Sequence, residues 1–175
     1  GKTMLVLRML EDALRRKRKR KFVYVSPEFS VDESLKKIRN NRRWKNYFVG
    51  VDVSDSAYAE SEKSSPDEFW HDSIKPILIN LEPGSCIILD DAPDSVVHHH
   101  LQKFLIEYLR TGRHKKVGII SIQHNVRGGR WTSQSFSSVT LITLFPRGSG
   151  RGKMVEFLNE TVGLNRRKAR NILDV

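Results

Sequence analysis

Cysteine is almost missing from this chain of 175 residues: Cys86 is the only one. An internal disulfide is therefore impossible, which excludes a disulfide-stapled secreted fold and points to a reducing compartment. Long apolar runs are missing too. None approaches the roughly 18 residues that would cross a bilayer, so no membrane-spanning segment is expected. No Cys/His spacing suits zinc. The triplet His98-His99-His100 does not supply one, because consecutive helical residues point about 100° apart, and it reads as helix surface. No Ser-His-Asp arrangement, internal repeat or low-complexity linker stands out. There is no initiator Met either. The chain opens on Gly1-Lys2-Thr3 and reads as a fragment, leaving a lost targeting signal open.

What is abundant is positive charge. The chain carries 31 Lys and Arg against 20 Asp and Glu, a net +11. The excess is segregated: residues 1–50 are net +10, residues 51–108 net −9, and residues 109–175 net +10. Two basic flanks around an acidic middle suit a polyanion partner and a site that needs carboxylates. The densest run, Arg15-Arg16-Lys17-Arg18-Lys19-Arg20-Lys21, reads either as a solvated helix end, where cations complement the dipole, or as a phosphate contact or localisation signal. With 38% hydrophobic and 29% charged residues, the composition is that of one globular domain with a real core.

Periodicity and punctuation divide the chain. A helix is expected from Thr3 to about Arg16, and a strand at Phe22-Val23-Tyr24-Val25, stopped by Pro27. Asp32 is placed to cap a helix through Leu35 and Ile38 to about Arg42. A second strand covers Tyr47 to Val53, and residues 54–65 read as a polar loop. Ser65-Pro66-Asp67-Glu68 has capping-box spacing, predicting a helix to about Lys75 that Pro76 bends or ends. Cys86-Ile87-Ile88-Leu89 is apolar without alternation, as in a strand buried on both faces. Val97, Leu101, Phe104, Leu105 and Tyr108 follow helical spacing, with Gly112 as a C′ residue. Strands at Val117–Ile122 and Val139–Phe145, and helices near Lys153–Thr161 and Arg166–Leu173, complete the reading. Strands separated by helices predict an α/β three-layer sandwich with a mostly parallel sheet.

Three short motifs carry chemistry. Gly1-Lys2-Thr3 before a helix matches the end of a Walker A loop, in which backbone N–H groups cradle phosphates, Lys reaches the β and γ oxygens, and the Thr hydroxyl ligates Mg²⁺. Only the last three positions are present, and a chance tripeptide is the competing reading. Asp90-Asp91 at the end of an apolar strand matches Walker B: the first carboxylate holds Mg²⁺ and the second orients or deprotonates water. A strand-end helix cap is the alternative, although Asp94 is better placed for that role. Gln123, directly after the strand Val117–Ile122, can donate to a phosphate and accept from water, and reads otherwise as an exposed strand end.

Together with Phe22–Pro27, Gly112-Arg113-His114 and Thr143–Arg147, these motifs resemble the FtsK–HerA superfamily of P-loop ATPases, most closely the genome-packaging ATPases of large double-stranded DNA viruses. Asp91 stands where cellular members usually carry Glu, which favours the viral branch. The resemblance implies a RecA-like additional-strand P-loop ATPase core lacking its first strand and the start of its Walker A loop. ATP and Mg²⁺ are the implied cofactors: Gly1, Lys2 and Thr3 bind nucleotide, Thr3 and Asp90 hold the metal, and Asp91 and Gln123 act in catalysis. It further implies a homo-oligomeric ring, commonly a hexamer, that moves double-stranded DNA at an intracellular virus assembly site or in the virion, in contact with capsid portal or vertex proteins. In such rings an arginine reaches the neighbour's γ-phosphate. Arg113 is the first candidate, from a loop expected before the fourth strand, with Arg127 and Arg130 as rivals. Arg147 and Arg151, around Gly148 and Gly150, form a flexible basic loop that could face DNA, as could Arg127 and Arg130. Trp44, Trp70 and Trp131 read as packing residues, Trp131 alternatively as a nucleic-acid contact. Arg166-Arg167-Lys168-Arg170 suits a subunit or DNA contact. The rival readings are a conjugation or phage-assembly ATPase of the same superfamily and a non-catalytic basic nucleic-acid-binding module.

Overall fold

Four short runs of β-branched and aromatic residues form the strands, and each lies where its apolar content allows. A computed structural model describes residues 2–15, 20–42, 44–122, 141, 143, 150–160 and 162–173, with the backbone alone for Lys2, Leu14 and Arg113. The strands are β1 (Phe22–Ser26), β2 (Phe48–Asp52), β3 (Cys86–Asp90) and β4 (Gly118–Ile122). They pair in the order β2-β1-β3-β4, all parallel. Every residue of β1 is buried, as expected of a central parallel strand covered on both faces. The expected fifth strand, Val139–Phe145, lies outside the described residues except for Leu141 and Thr143, which are in no regular element.

Helices flank this sheet. Helix α1 (Lys2–Arg15) buries Val6, Leu7 and Leu10 in a cluster with Phe22, Tyr24 and Ile88, the side chains that alternation places on one sheet face. The other face, with Val23, Val25, Ile87 and Leu89, is fully buried as well. Helix α1 starts where Thr3 meets the end of β3. It descends towards a 360 Å³ cleft that Ala13 shares with Phe22, Cys86 and Gly118, the first residues of three strands. Its axis therefore runs against the strand direction, which puts its N-terminus at the carboxyl rim of the sheet.

Between β1 and β2 the expected long helix is replaced by a 3₁₀ turn, Glu33–Leu35, and a single α turn, α2 (Lys36–Arg39). Asp32 does cap, accepting from the Ser34 N–H at 2.7 Å. Residues 54–65 are not all loop: α3 (Asp55–Glu60) forms there, with Ser54 Oγ accepting from the Ala57 N–H. A cap and an acidic first turn suffice for this short helix without any fully buried residue.

Ser65 caps the next helix as predicted, but Glu68 turns its carboxylate to Ser64 rather than Ser65. Pro76 neither ends nor sharply stops this helix. It runs through α4 (Pro66–Phe69), a π turn (Trp70–Ile74) and α5 (Lys75–Ile79). Proline has no N–H to give and its ring crowds the carbonyl four residues back. The wider turn, in which the Lys75 N–H reaches the Trp70 carbonyl, makes room for it.

Helix α6 (His98–Lys115) buries Leu101, Phe104, Leu105 and Tyr108, an i, i+3, i+4, i+7 stripe. Gly112 is inside it and is not its C′ residue; the left-handed position just past its end is Lys116, at φ 53. His100 is not simply solvated surface, for its ring stacks on Trp70 at 5.5 Å and lies 2.5 Å from the Asp67 carboxylate.

The chain clusters into two compact units, Gly1–Gln123 and His124–Val175. In the second, α7 (Arg151–Glu160) and α8 (Arg166–Leu173) pack around Val155, Phe157, Leu158, Ala169 and Leu173.

Candidate active site

The strand order itself marks a place for a site. From β1 the chain goes to one side of the sheet, to β2, while β3 continues to the other side, to β4. Where adjacent strands send their connections in opposite directions, their carboxyl ends leave a crevice, the usual ligand position in open parallel sheets. Here that crevice lies beyond Ser26 and Asp90. Both are buried, at 4% and 5% exposure, although both are polar.

Asp90 is the last residue of β3. The Thr3 hydroxyl of α1 lies 3.4 Å from Asp90 Oδ2, bridging 87 positions of sequence. The hydroxyl of Tyr24, from the centre of β1, donates to the same carboxylate oxygen. The phenol is held neutral by three effects: burial first, then its hydrogen bond to Asp90, then the negative charges of Asp90, Asp32 and Asp91, which push its ionisation well above the ordinary range. Tyr24 is thus a fixed donor to Asp90 at all physiological pH values. Its ring is braced by Phe29 and Phe48, with centroids 6.2 and 6.3 Å away.

Asp91 follows immediately, at φ 49 and ψ 35, in the left-handed region. The chain leaves the strand direction there and enters a 3₁₀ turn, Ala92–Asp94. Asp91 occupies the N-cap position of this turn, but its side chain makes no cap hydrogen bond. Asp94 is the last residue of the turn rather than the cap of α6, which begins at His98. The two adjacent acids consequently differ: Asp90 is buried against Tyr24 and Thr3, and Asp91 is half-buried beyond the strand end.

A third carboxylate, Asp52, ends β2. Burial alone would raise its pKa, but hydrogen bonds from Ser30 and Ser54 outweigh that and hold it below the ordinary carboxylate range. Its acceptors are used to fix the loops after β1 and β2.

The remaining sequence-nominated residues fall as follows. Lys2 opens α1 at the same rim as Thr3. Arg113 lies within α6 rather than in a loop before β4, because the helix carries on past Gly112. The register pairs Asp90 with Ile122, so β4 ends level with the acid pair. Gln123 comes next in sequence and lies outside the described residues, as do Gly1, Arg127, Arg130, Trp131 and Arg147. Arg151 begins α7 in the second unit and is exposed.

Tyr24 is the residue at this rim that the sequence motifs do not single out. The signal for it is in the sequence: one phenol within a buried strand, flanked by Val23 and Val25, needs a hydrogen-bond partner. Among the described residues there is no cluster of three or more His, Cys, Asp or Glu able to hold a metal. The donors at this rim are instead one hydroxyl and one carboxylate, hard oxygen ligands of the kind Mg²⁺ takes when phosphate and water complete its shell. No protein-family model, curated protein or solved structure matches this chain.

Proposed function

We propose that the chain is the core of a P-loop ATPase of the FtsK–HerA type, coupling ATP hydrolysis to movement of double-stranded DNA, as in viral genome packaging. One observation carries this reading. The Thr of a Gly-Lys-Thr helix start and the first Asp of an apolar-strand Asp-Asp pair, 87 residues apart, meet at 3.4 Å on the carboxyl rim of a parallel sheet. That juxtaposition is what a shared Mg²⁺–triphosphate site needs, and chance motifs have no reason to produce it.

In this reading Thr3 Oγ1 and an Asp90 carboxylate oxygen would hold the metal, and Tyr24 keeps Asp90 oriented. When bound, Mg²⁺ supplies neutralisation of the β- and γ-phosphate oxygens. Lys2 and the N–H groups at the start of α1 bind the phosphates. Asp91 positions the attacking water and accepts its proton as the oxygen bonds to the γ-phosphorus and the bond to ADP breaks. Gln123 reads the γ-phosphate, and an arginine acts across a ring interface. Arg113 keeps that role only if the C-terminal end of α6 faces a neighbouring subunit. Arg127, Arg130, Arg147 and Arg151 are the candidates for DNA contact.

The test is steady-state ATP hydrolysis and nucleotide binding by the full-length protein. Asp91→Asn should abolish turnover while leaving ATP affinity largely intact, because it removes a proton acceptor and keeps the shape. Thr3→Ala and Asp90→Asn should lower Mg²⁺-dependent binding as well. Undiminished turnover in Asp91→Asn removes that residue from the mechanism. Salt-sensitive DNA binding with no ATP hydrolysis at all would favour a non-catalytic module.

A further inference from the structure

The second unit has a feature that the nucleotide site does not use. Helices α7 and α8 are joined by a short reversal in which Gly163 adopts φ 77. The Leu164 N–H returns to the Leu158 carbonyl at 3.0 Å, and Asn159 Nδ2 donates to the Leu164 carbonyl at 2.7 Å. Asn165 then caps α8, accepting from the Lys168 N–H. Ala169 and Leu173 face inward onto Val155, Phe157 and Leu158. The turn is thus pinned by its own hydrogen bonds and the second helix by its own apolar seam.

The exposed charge of that second helix is all cationic. With Ala169 and Leu173 inward, the 100° step between residues turns Arg167 and Lys168 outward on either side of Asn171, with Arg170 on one flank, Ile172 on the other, and Arg166 at the helix start nearer the inward stripe. All four cations are exposed, and α8 contains no acidic residue. Among the described residues, none of the four takes part in an ion pair. The pattern works against the helix. Arg166 and Arg170 are like charges one turn apart, and three cations occupy the first turn, where the dipole favours anions. Helix stability does not account for it. A closely spaced polyanion does, because each phosphate relieves the repulsion and releases counterions.

We propose that α7–α8 is a docking surface for double-stranded nucleic acid, in which Arg166, Arg167, Lys168 and Arg170 lie against the phosphate backbone and α8 serves as the helix presented to a groove. The surface stands on the second unit alone and does not depend on nucleotide binding.

The test is fluorescence anisotropy of a labelled DNA duplex about two helical turns long, titrated with the full chain without nucleotide across a salt series. Changing all four cations to Gln should weaken binding at least about tenfold and flatten the log–log salt slope by about three to four. Helix content by circular dichroism should be unchanged, since Gln and Arg have similar helix propensity. If the quadruple variant does not fold, Arg167→Gln and Arg170→Gln singly should each remove about 0.9 from the slope. The charge-keeping variant Arg166→Lys/Arg167→Lys/Arg170→Lys should bind nearly as the parent does. An unchanged slope in the Gln variants overturns the proposal. So does equal competition by polyglutamate or phosphatidylserine vesicles, which would make the face a general anion or acidic-partner surface.

Discussion

Replacing Tyr24 by Phe removes one oxygen atom from a residue with no exposed surface. It leaves the aromatic packing with Phe29 and Phe48 in place. What is lost is the hydrogen bond to Asp90, a carboxylate only 5% exposed. A bond to a charged, buried acceptor contributes about 1.5–3 kcal/mol, and leaving that acceptor short of a donor costs a similar amount. The expected loss is about 2 kcal/mol near neutral pH, which lowers Tm by about 4–8 °C. A second signature is specific to the phenol. Its folded-state pKa is raised, chiefly by burial, so it stays protonated at pH values where the unfolded chain ionises near pH 10. Its stabilisation is complete below about pH 10 and declines above by about 1.4 kcal/mol per pH unit. The gap between parent and Tyr24→Phe should therefore narrow from about 2 kcal/mol near neutrality to about 0.6 kcal/mol near pH 11. Cys86 and Tyr108 also have raised pKa values, but both proteins share them and they cancel. Urea denaturation at a series of pH values measures both effects. A gap below about 0.5 kcal/mol near neutral pH, or one that stays constant up to pH 11, would refute the assignment of Tyr24 as the buried donor to Asp90.

Further predictions come from the packing around the same sheet. A Cβ at Gly50 would fall 1.7 Å from Phe29 Cζ, so Gly50→Ala should cost roughly 1–3 kcal/mol through displacement of that ring. The double variant with Phe29→Leu should recover part of the loss, and a wild-type denaturation midpoint for Gly50→Ala alone would contradict the close approach. Ser65→Ala should destabilise by about 1 kcal/mol through loss of the cap on α4, read from the same curves. The Cys86 thiol is pushed up to about 11, chiefly by burial. Alkylation of the native protein at neutral pH, followed by mass spectrometry, should be far slower than in urea; equal rates would refute the raised pKa of this half-buried thiol. The raised thiol also means that its stabilising contribution is present below about pH 9 and lost between about pH 9 and 11.

The parts of the fold legible in the sequence were those where one local rule dominated. Phe22–Val25 of β1 and Cys86–Leu89 of β3 read as strands from their apolar content, and α6 carries a clean stripe from Leu101 to Tyr108. The capping role of Ser65 followed from a hydroxyl three residues before a free N–H. What escaped was decided by competition. Gly112 looks like a helix stop, but the continuing helix tolerates a glycine in its interior at a cost of about 1 kcal/mol. Pro76 looks like a breaker, and a single wide turn absorbs it. Residues 55–60 have no buried face, so periodicity was silent there. At the candidate site, the acid pair and the Gly-Lys-Thr start were legible as motifs. Their meeting was not, because Thr3, Tyr24 and Asp90 are joined only by the sheet order, and the register of β1 against β3 cannot be read from either strand alone.

The left-handed backbone at Asp91 restricts what evolution or an experimenter can put there. Asparagine, aspartate and glycine visit that region readily, whereas longer or β-branched side chains do so at a penalty. The position thus filters its own occupants before chemistry selects among them, and it admits a short carboxylate more easily than glutamate. Asparagine and glycine are then the exchanges that remove the charge and keep the bend, and of the two only asparagine also keeps the side chain's shape, while valine or alanine would disturb the rim of the sheet and the acid together.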